Sequence, residues 1–103
     1  MGYNVWVRPQ ALHEIAALPS SIRSRVKRAI DGLAREPRPS ASAKLRPASA
    51  AGGTGASQEA RRLRLDQWRL IYLVDDAETW VAVVAVRRRP PYDYQDLASL
   101  TSD

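Results

Sequence analysis

Hydrophobic and charged side chains alternate in two short runs between positions 61 and 72, and Asp66 and Gln67 separate the runs. Leucines and arginines alternate in the first run, and the second run begins at Trp68. Strict alternation indicates a strand with one buried face, and a polar pair between two such strands is typical of a tight turn. The pattern therefore predicts an antiparallel β-hairpin.

The two faces of this hairpin differ in chemistry. A two-residue turn places Leu65 opposite Trp68 and Arg64 opposite Arg69, and opposed residues project from the same face of a sheet. One face carries the apolar side chains of Leu63, Leu65, Trp68, Leu70 and Tyr72. The other carries the arginines Arg62, Arg64 and Arg69. Opposed like charges destabilise a sheet unless an anion offsets them, so this face is either a phosphate-binding surface or a solvated basic face that only aids solubility.

Two amphipathic helices are predicted before the hairpin. A short β-type run over 3–7 precedes Pro9, which suits the first turn of a helix that Pro19 stops. A second helix is predicted over 22–35, capped by the serine at position 20 or 21. Both helices carry apolar side chains at helical spacing, so we expect an antiparallel helical hairpin packed on the leucine-bearing face of the sheet.

The rest of the chain predicts a loop and two further strands. Residues 37–60 are rich in Pro, Ala, Ser and Gly, which is typical of a long flexible loop. Trp68 to Val74 completes the hairpin, and the Val-rich run from Thr79 to Val86 suits a strand buried at the centre of a sheet. The expected fold is a single α+β domain over 1–103, with the helical hairpin on one face of an antiparallel-dominated sheet of about four strands, in the order β-α-α-β-β-β.

Composition narrows the classes of function. A formal net charge of +5 and a pI near 10.2 favour an anionic partner such as nucleic acid or an acidic protein. The absence of Cys excludes a disulfide framework and a Cys-based zinc site, and a single His leaves little for another metal site, so we expect no metal and no cofactor. No apolar run is long enough to span a membrane and no signal-peptide pattern opens the chain, so we expect a cytoplasmic protein.

A second arginine group, Arg87, Arg88 and Arg89, ends the last predicted strand and is followed by Tyr92 and Tyr94. If the last two strands pair antiparallel, the end of one lies beside the start of the other, and the two arginine groups meet at one edge. Arginines neutralise phosphate, and phenols stack on bases or exchange protons. This expected convergence favours a nucleic-acid site over two unrelated solvated strand ends.

Several short motifs follow one another along the chain. They are Leu33-Ala34-Arg35-Glu36-Pro37, then Lys44-Leu45-Arg46, then the Arg-Leu-Arg-Leu and Trp-Arg-Leu-Ile-Tyr of the hairpin, and finally Val-Arg-Arg-Arg with tyrosines after it. In this order, and over nearly the whole chain, they resemble the RelE/ParE superfamily of bacterial toxin–antitoxin toxins. The resemblance implies mRNA cleavage in the ribosomal A site for the RelE branch, or poisoning of DNA gyrase for the ParE branch, with a cognate antitoxin holding either inactive.

The resemblance also implies roles for individual residues. Arg69, with Arg88 or Arg89, is expected to clamp the scissile phosphate, and Tyr92 or Tyr94 to stack on a base or help proton transfer. Contacts to RNA are expected from Arg61, Arg62, Arg64 and Arg87. Ribonucleases of the family often have lysine where this chain has Arg62 or Arg64. Arginine stays protonated, so the sequence shows no evident general base.

Three functions remain open at this point. The favoured one is a ribosome-dependent mRNA endoribonuclease that inhibits translation, with the ribosome, mRNA and a cognate antitoxin as partners. The late arginines and tyrosines favour it because RNA cleavage needs charge stabilisation and proton transfer. The alternatives are a gyrase inhibitor and a catalytically degenerate module that binds antitoxin or nucleic acid.

Overall fold

The computed structural model describes residues 2–45 and 58–88. Over these ranges the chain forms two helices and five strands, which in chain order are β1 (Asn4–Val7), α1 (Pro9–Ala16), α2 (Ser20–Leu33), β2 (Ser42–Lys44), β3 (Gln58–Leu65), β4 (Trp68–Asp75) and β5 (Trp80–Arg88). Pro9 opens α1, as predicted, whereas Pro19 directly precedes α2. The serine at position 20 or 21 is therefore inside the helix and does not cap it. No helix within these ranges is both long and apolar enough to cross a membrane.

The strands form one sheet in the order β1-β5-β4-β3-β2. Three neighbouring pairs are antiparallel, whereas β1 lies parallel to β5 at one edge. A parallel pair cannot be closed by a tight turn, and here both helices and three strands separate its members along the chain. The arrangement confirms the predicted α+β fold, but the sheet is mixed and has five strands where about four were expected.

The register of the β3–β4 hairpin confirms the prediction. Leu65 pairs with Trp68 and Arg64 pairs with Arg69 across a two-residue turn. Asp66, the first turn residue, has a φ of 61°. Aspartate tolerates this left-handed conformation because its short side chain hydrogen-bonds locally. The turn thereby fixes which hairpin side chains share a face.

Each face of the sheet has its own apolar cluster. On the side of the helices, Leu70 and Tyr72 of the hairpin pack with Ile15 and Val26, which confirms that the leucine-bearing face meets the helical hairpin. The opposite face holds a smaller cluster of Leu45, Ala60, Ile71, Leu73, Val84 and Ala85. Residues of β4 are therefore buried on both sides, which explains the nearly continuous apolar run of that strand.

The segment predicted as a loop over 37–60 contains regular structure at both ends. Ser42–Lys44 form β2, which pairs with Arg61, Arg62 and Leu63, and β3 already begins at Gln58. A strand of three residues is too short to display alternation, so only its pairing with β3 reveals it. Residues 46–57 and 89–103 lie outside the described residues.

Candidate nucleic-acid interface

The arginine-bearing face of the hairpin lines an open cleft of about 500 Å³. The hairpin register builds it, because Arg64 lies directly opposite Arg69 and Arg62 follows two positions away on the same face. A second wall comes from β2 and the turn before it. The lining residues are Ser40, Ala41, Ser42, Ala43, Arg62, Arg64, Asp66 and Arg69. The structure thus brings the three hairpin arginines together, as the alternation predicted.

The three arginines differ in their access to solvent. Arg69 is buried, with 6% of its surface exposed, whereas Arg62 is half-buried and Arg64 is exposed. Water screens a sheltered charge less than an exposed one, so the field of Arg69 at an incoming anion is stronger per unit charge. The cleft therefore offers one sheltered cation and two accessible ones to a phosphate.

Ion pairs hold the chain just before the β2 wall of the cleft. The guanidinium of Arg38 donates to the two carboxylate oxygens of Asp76 at 3.1 and 2.9 Å, and its Nε donates to Glu59 at 2.9 Å. The hydrogen bonds to Asp76 raise the pKa of Arg38 further above its ordinary value. Hydrogen bonds from Arg38 and then Tyr3 lower the pKa of Asp76. The network ties the segment after α2 to the start of β3 and to the β4–β5 turn.

Arg61 belongs to this network and does not line the cleft. It pairs with Tyr72 and so projects from the face that meets the helices. Its guanidinium donates to Glu59 at 2.9 Å and to the Ser42 hydroxyl at 2.9 Å. Burial raises the pKa of Glu59, but Arg38 and then Arg61 outweigh burial and leave that pKa below its ordinary value. These contacts make Arg61 a brace between β2 and β3.

The end of β5 lies beside the start of β4, as predicted, but its arginines meet other partners. Arg87 is opposite Arg69 in register, yet its Nε is 3.1 Å from Glu14 of α1. Arg88 is opposite Trp68, and its guanidinium carbon is 5.7 Å from the centroid of that ring. Both arginines line a separate groove of about 270 Å³. These two arginines therefore do not converge with the hairpin arginines as expected, because Arg87 pairs with a carboxylate and Arg88 stacks on an aromatic ring.

The remaining predicted site residues, Arg89, Tyr92 and Tyr94, lie outside the described residues. The sequence did not single out Asp66 as a cleft residue, although a turn residue flanked by two arginine-bearing strands must lie near their side chains. Nothing in the sequence indicated the β2 wall, because its serines and alanines are small and carry no distinctive chemistry. Within the ranges that the structure describes, no group of three or more His, Cys, Asp or Glu is arranged to hold a metal ion.

Comparisons with known proteins identify related chains. A sequence model of the family described as "ParE toxin of type II toxin-antitoxin system, parDE" matches residues 5–90. No curated protein sequence matches this chain significantly. The family match extends from β1 through β5, so it includes every strand that contributes to the cleft.

Several solved structures share the fold. The archaeal RelE–RelB complex from Pyrococcus horikoshii gives a TM-score of 0.74 at 23% identity, over 89% of this chain and 100% of that one. The RelBE2 toxin–antitoxin complex from Mycobacterium tuberculosis gives 0.67 at 27% identity, over 86% and 100%. A mutant of the E. coli toxin RelE in the free state gives 0.68 at 26% identity, over 96% of both chains. The family match and the shared fold together show that this chain belongs to the ParE toxin family of type II toxin–antitoxin systems, within the RelE/ParE superfamily.

Proposed function

We propose that this toxin is a ribosome-dependent mRNA endoribonuclease that inhibits translation in the cytoplasm and is silenced by a cognate antitoxin. The observation that carries the proposal is the cleft in which Arg62, Arg64 and Arg69 converge. Adjacent arginines on paired strands repel one another, and a bound phosphate backbone would offset that repulsion. Similarity to the RelE structures and to RelE–RelB complexes supports both the RNA target and the antitoxin partner.

The arginines suit one part of the chemistry of RNA cleavage. Attack of the 2′-hydroxyl on the phosphorus builds negative charge on the phosphate oxygens, and fixed guanidiniums stabilise that charge without reorganising. Arg69 is assigned to the scissile phosphate, while Arg62 and Arg64 position the flanking backbone. Arg88 lies on the side of Trp68, so the partner of Arg69 in the clamp is assigned to Arg89.

Proton transfer requires other groups, because arginine stays protonated. Asp66 contributes a carboxylate to the cleft lining and can accept a proton from the 2′-hydroxyl. Tyr92 or Tyr94 is assigned to base stacking or to proton transfer toward the leaving oxygen. Such a sparse catalytic set works if the ribosome orients the mRNA, since positioning can supply about 7 to 11 kcal/mol of the barrier.

The decisive experiment adds the purified toxin to ribosomes programmed with a defined mRNA and maps the new 5′ ends. Wild type is expected to cut in the A site, and Arg69→Ala to lose about 100-fold or more of the rate, the usual effect of removing a transition-state donor. Because Arg69 is buried, the exposed Arg64→Ala is tested beside it. Arg28→Ala, an exposed arginine of α2, is the matched control. Full activity of both cleft variants would disprove the site.

DNA gyrase inhibition is the second candidate, and the match to the ParE family favours it. The same preparations are therefore assayed for gyrase supercoiling. Inhibition of supercoiling that survives Arg62→Ala, Arg64→Ala and Arg69→Ala, without any cleavage of ribosomal mRNA, would assign the protein to this function. A protein that shows neither activity but still binds its antitoxin would be a degenerate binding module.

A further inference from the structure

Glu14 of α1 collects several donors at the end of β5. Its Oε1 accepts the backbone N–H of Val86 at 2.8 Å, and its Oε2 accepts from Arg87 Nε at 3.1 Å. Oε2 also accepts from Gln10 at 3.0 Å. Only 17% of the Glu14 side chain is exposed. A carboxylate that accepts hydrogen bonds from three donors has a defined orientation and fixes the groups that donate to it.

This carboxylate takes the place of a neighbouring strand. The β1 strand ends at Val7, which pairs with Val83, and the last backbone bond between these edges runs from Arg8 N–H to Val83 C=O. β5 continues beyond that point to Arg88. Three positions farther along β5, Glu14 accepts the N–H of Val86 and thereby holds the extension of β5 in the sheet.

The same carboxylate binds the Arg87 side chain in a groove separate from the cleft. In register, Arg64, Arg69 and Arg87 form one row across three neighbouring strands. The row would place three like charges on one face of the sheet, at the cleft. Arg87 instead lines the separate groove beside Glu14, while the other two line the cleft.

We propose that Glu14 is a positioning residue that limits the positive charge of the cleft by holding Arg87 out of it. The cleft then binds the phosphate backbone with the hairpin arginines alone, and releasing Arg87 adds a further cation on its face. The inference rests on the proposed function only in naming an RNA backbone as the anion. Glu14 holds Arg87 out of the cleft whichever polyphosphate binds there.

The test measures binding of tripolyphosphate to the full chain over a series of salt concentrations. Glu14→Gln keeps an oxygen for the Val86 N–H but removes the charge that holds Arg87. We expect Glu14→Gln to bind tripolyphosphate roughly five-fold more tightly, the effect of one added cation near a surface phosphate, with a steeper salt dependence. A purely structural role for Glu14 would lower stability without strengthening binding.

Two control variants separate local release from a change in net charge. Glu78→Gln removes an exposed carboxylate in the β4–β5 turn and is expected to leave binding nearly unchanged. In Glu14→Gln/Arg87→Ala the gain should disappear, because the released arginine is absent. A gain of equal size in Glu78→Gln, or a gain that survives the loss of Arg87, would overturn the proposal.

A further measurement tests the proposal even if Glu14→Gln folds poorly. Arg87→Ala alone should leave tripolyphosphate binding nearly unchanged, whereas Arg64→Ala should weaken it several-fold. Equal losses in the two variants, or no binding by wild type and Glu14→Gln alike, would refute the inference. Tighter binding by Glu14→Gln together with uncut ribosomal mRNA would instead reject the proposed nuclease function and leave the role of Glu14 intact.

Discussion

Two groups of arginines lie at neighbouring strand ends of one sheet, and their surroundings differ. The hairpin arginines Arg62, Arg64 and Arg69 line a shared cleft. Arg87 and Arg88 of β5 are beside them in register, yet they bind Glu14 and stack on Trp68. Arginine content and strand register are therefore not enough to build a phosphate site. The groups that each side chain contacts, as well as its register, decide which groove the guanidinium lines.

The difference predicts unequal effects of removing the two groups, and this is the largest effect that we expect. Arg62→Ala/Arg64→Ala should lower the rate of mRNA cleavage on ribosomes by about 100-fold or more, because it removes both arginines that position the RNA backbone for the reaction. Arg87→Ala/Arg88→Ala should change the rate far less. The test compares the cleavage rates of the two double variants, provided that both bind the antitoxin with equal affinity. If the β5 pair had the larger effect, the cleft would not be the site.

The hairpin site should also depend on the ion pairs that hold its β2 wall. Arg38→Ala removes the bonds to Glu59 and Asp76, and should lower the free energy of unfolding by about 1 to 2 kcal/mol, allowing for the partial exposure of Arg38. Urea unfolding measures this loss. Arg35→Ala, an exposed arginine nearby, is the control and should be nearly neutral. Equal losses in both variants would mean that the network does not stabilise the wall.

Acid should remove the same stabilisation. The pKa values of Glu59 and Asp76 are lowered in the folded protein from ordinary values of 4.5 and 3.8. A lowered pKa means that the stability these carboxylates contribute is fully present above their ordinary values and is lost as the pH falls through their folded values. The stability difference between wild type and Arg38→Ala should therefore shrink between about pH 5 and pH 2. A constant difference across that range would contradict the assignment.

The smallest expected effect concerns the stacked arginine of β5. Arg88→Ala should lower the free energy of unfolding by about 0.5 to 1 kcal/mol, the usual size of an exposed cation–π contact with tryptophan. Trp68 fluorescence should change in the same variant, because its ring loses the adjacent cation. Arg88→Lys should retain part of the effect. No change in either measurement would show that the contact is weak in solution.

Local periodicity determined much of this protein from sequence. Alternation in β3 and at the start of β4 determined the two faces of the hairpin, since side chains of a strand point to opposite sides in turn. The prolines at positions 9 and 19 and the helical spacing of the apolar residues located both helices. The three cleft arginines were found by the same reasoning, because register across a two-residue turn follows from the turn itself.

Contacts between distant parts of the chain were decided only by the tertiary structure. Glu14 and Arg87 are 73 positions apart, and Arg38 and Asp76 are 38 apart, so no local pattern relates them. The parallel pairing of β1 and the three-residue β2 likewise depend on strands far along the chain. Local sequence sets the direction in which a side chain points, whereas the partner it meets depends on how the elements pack.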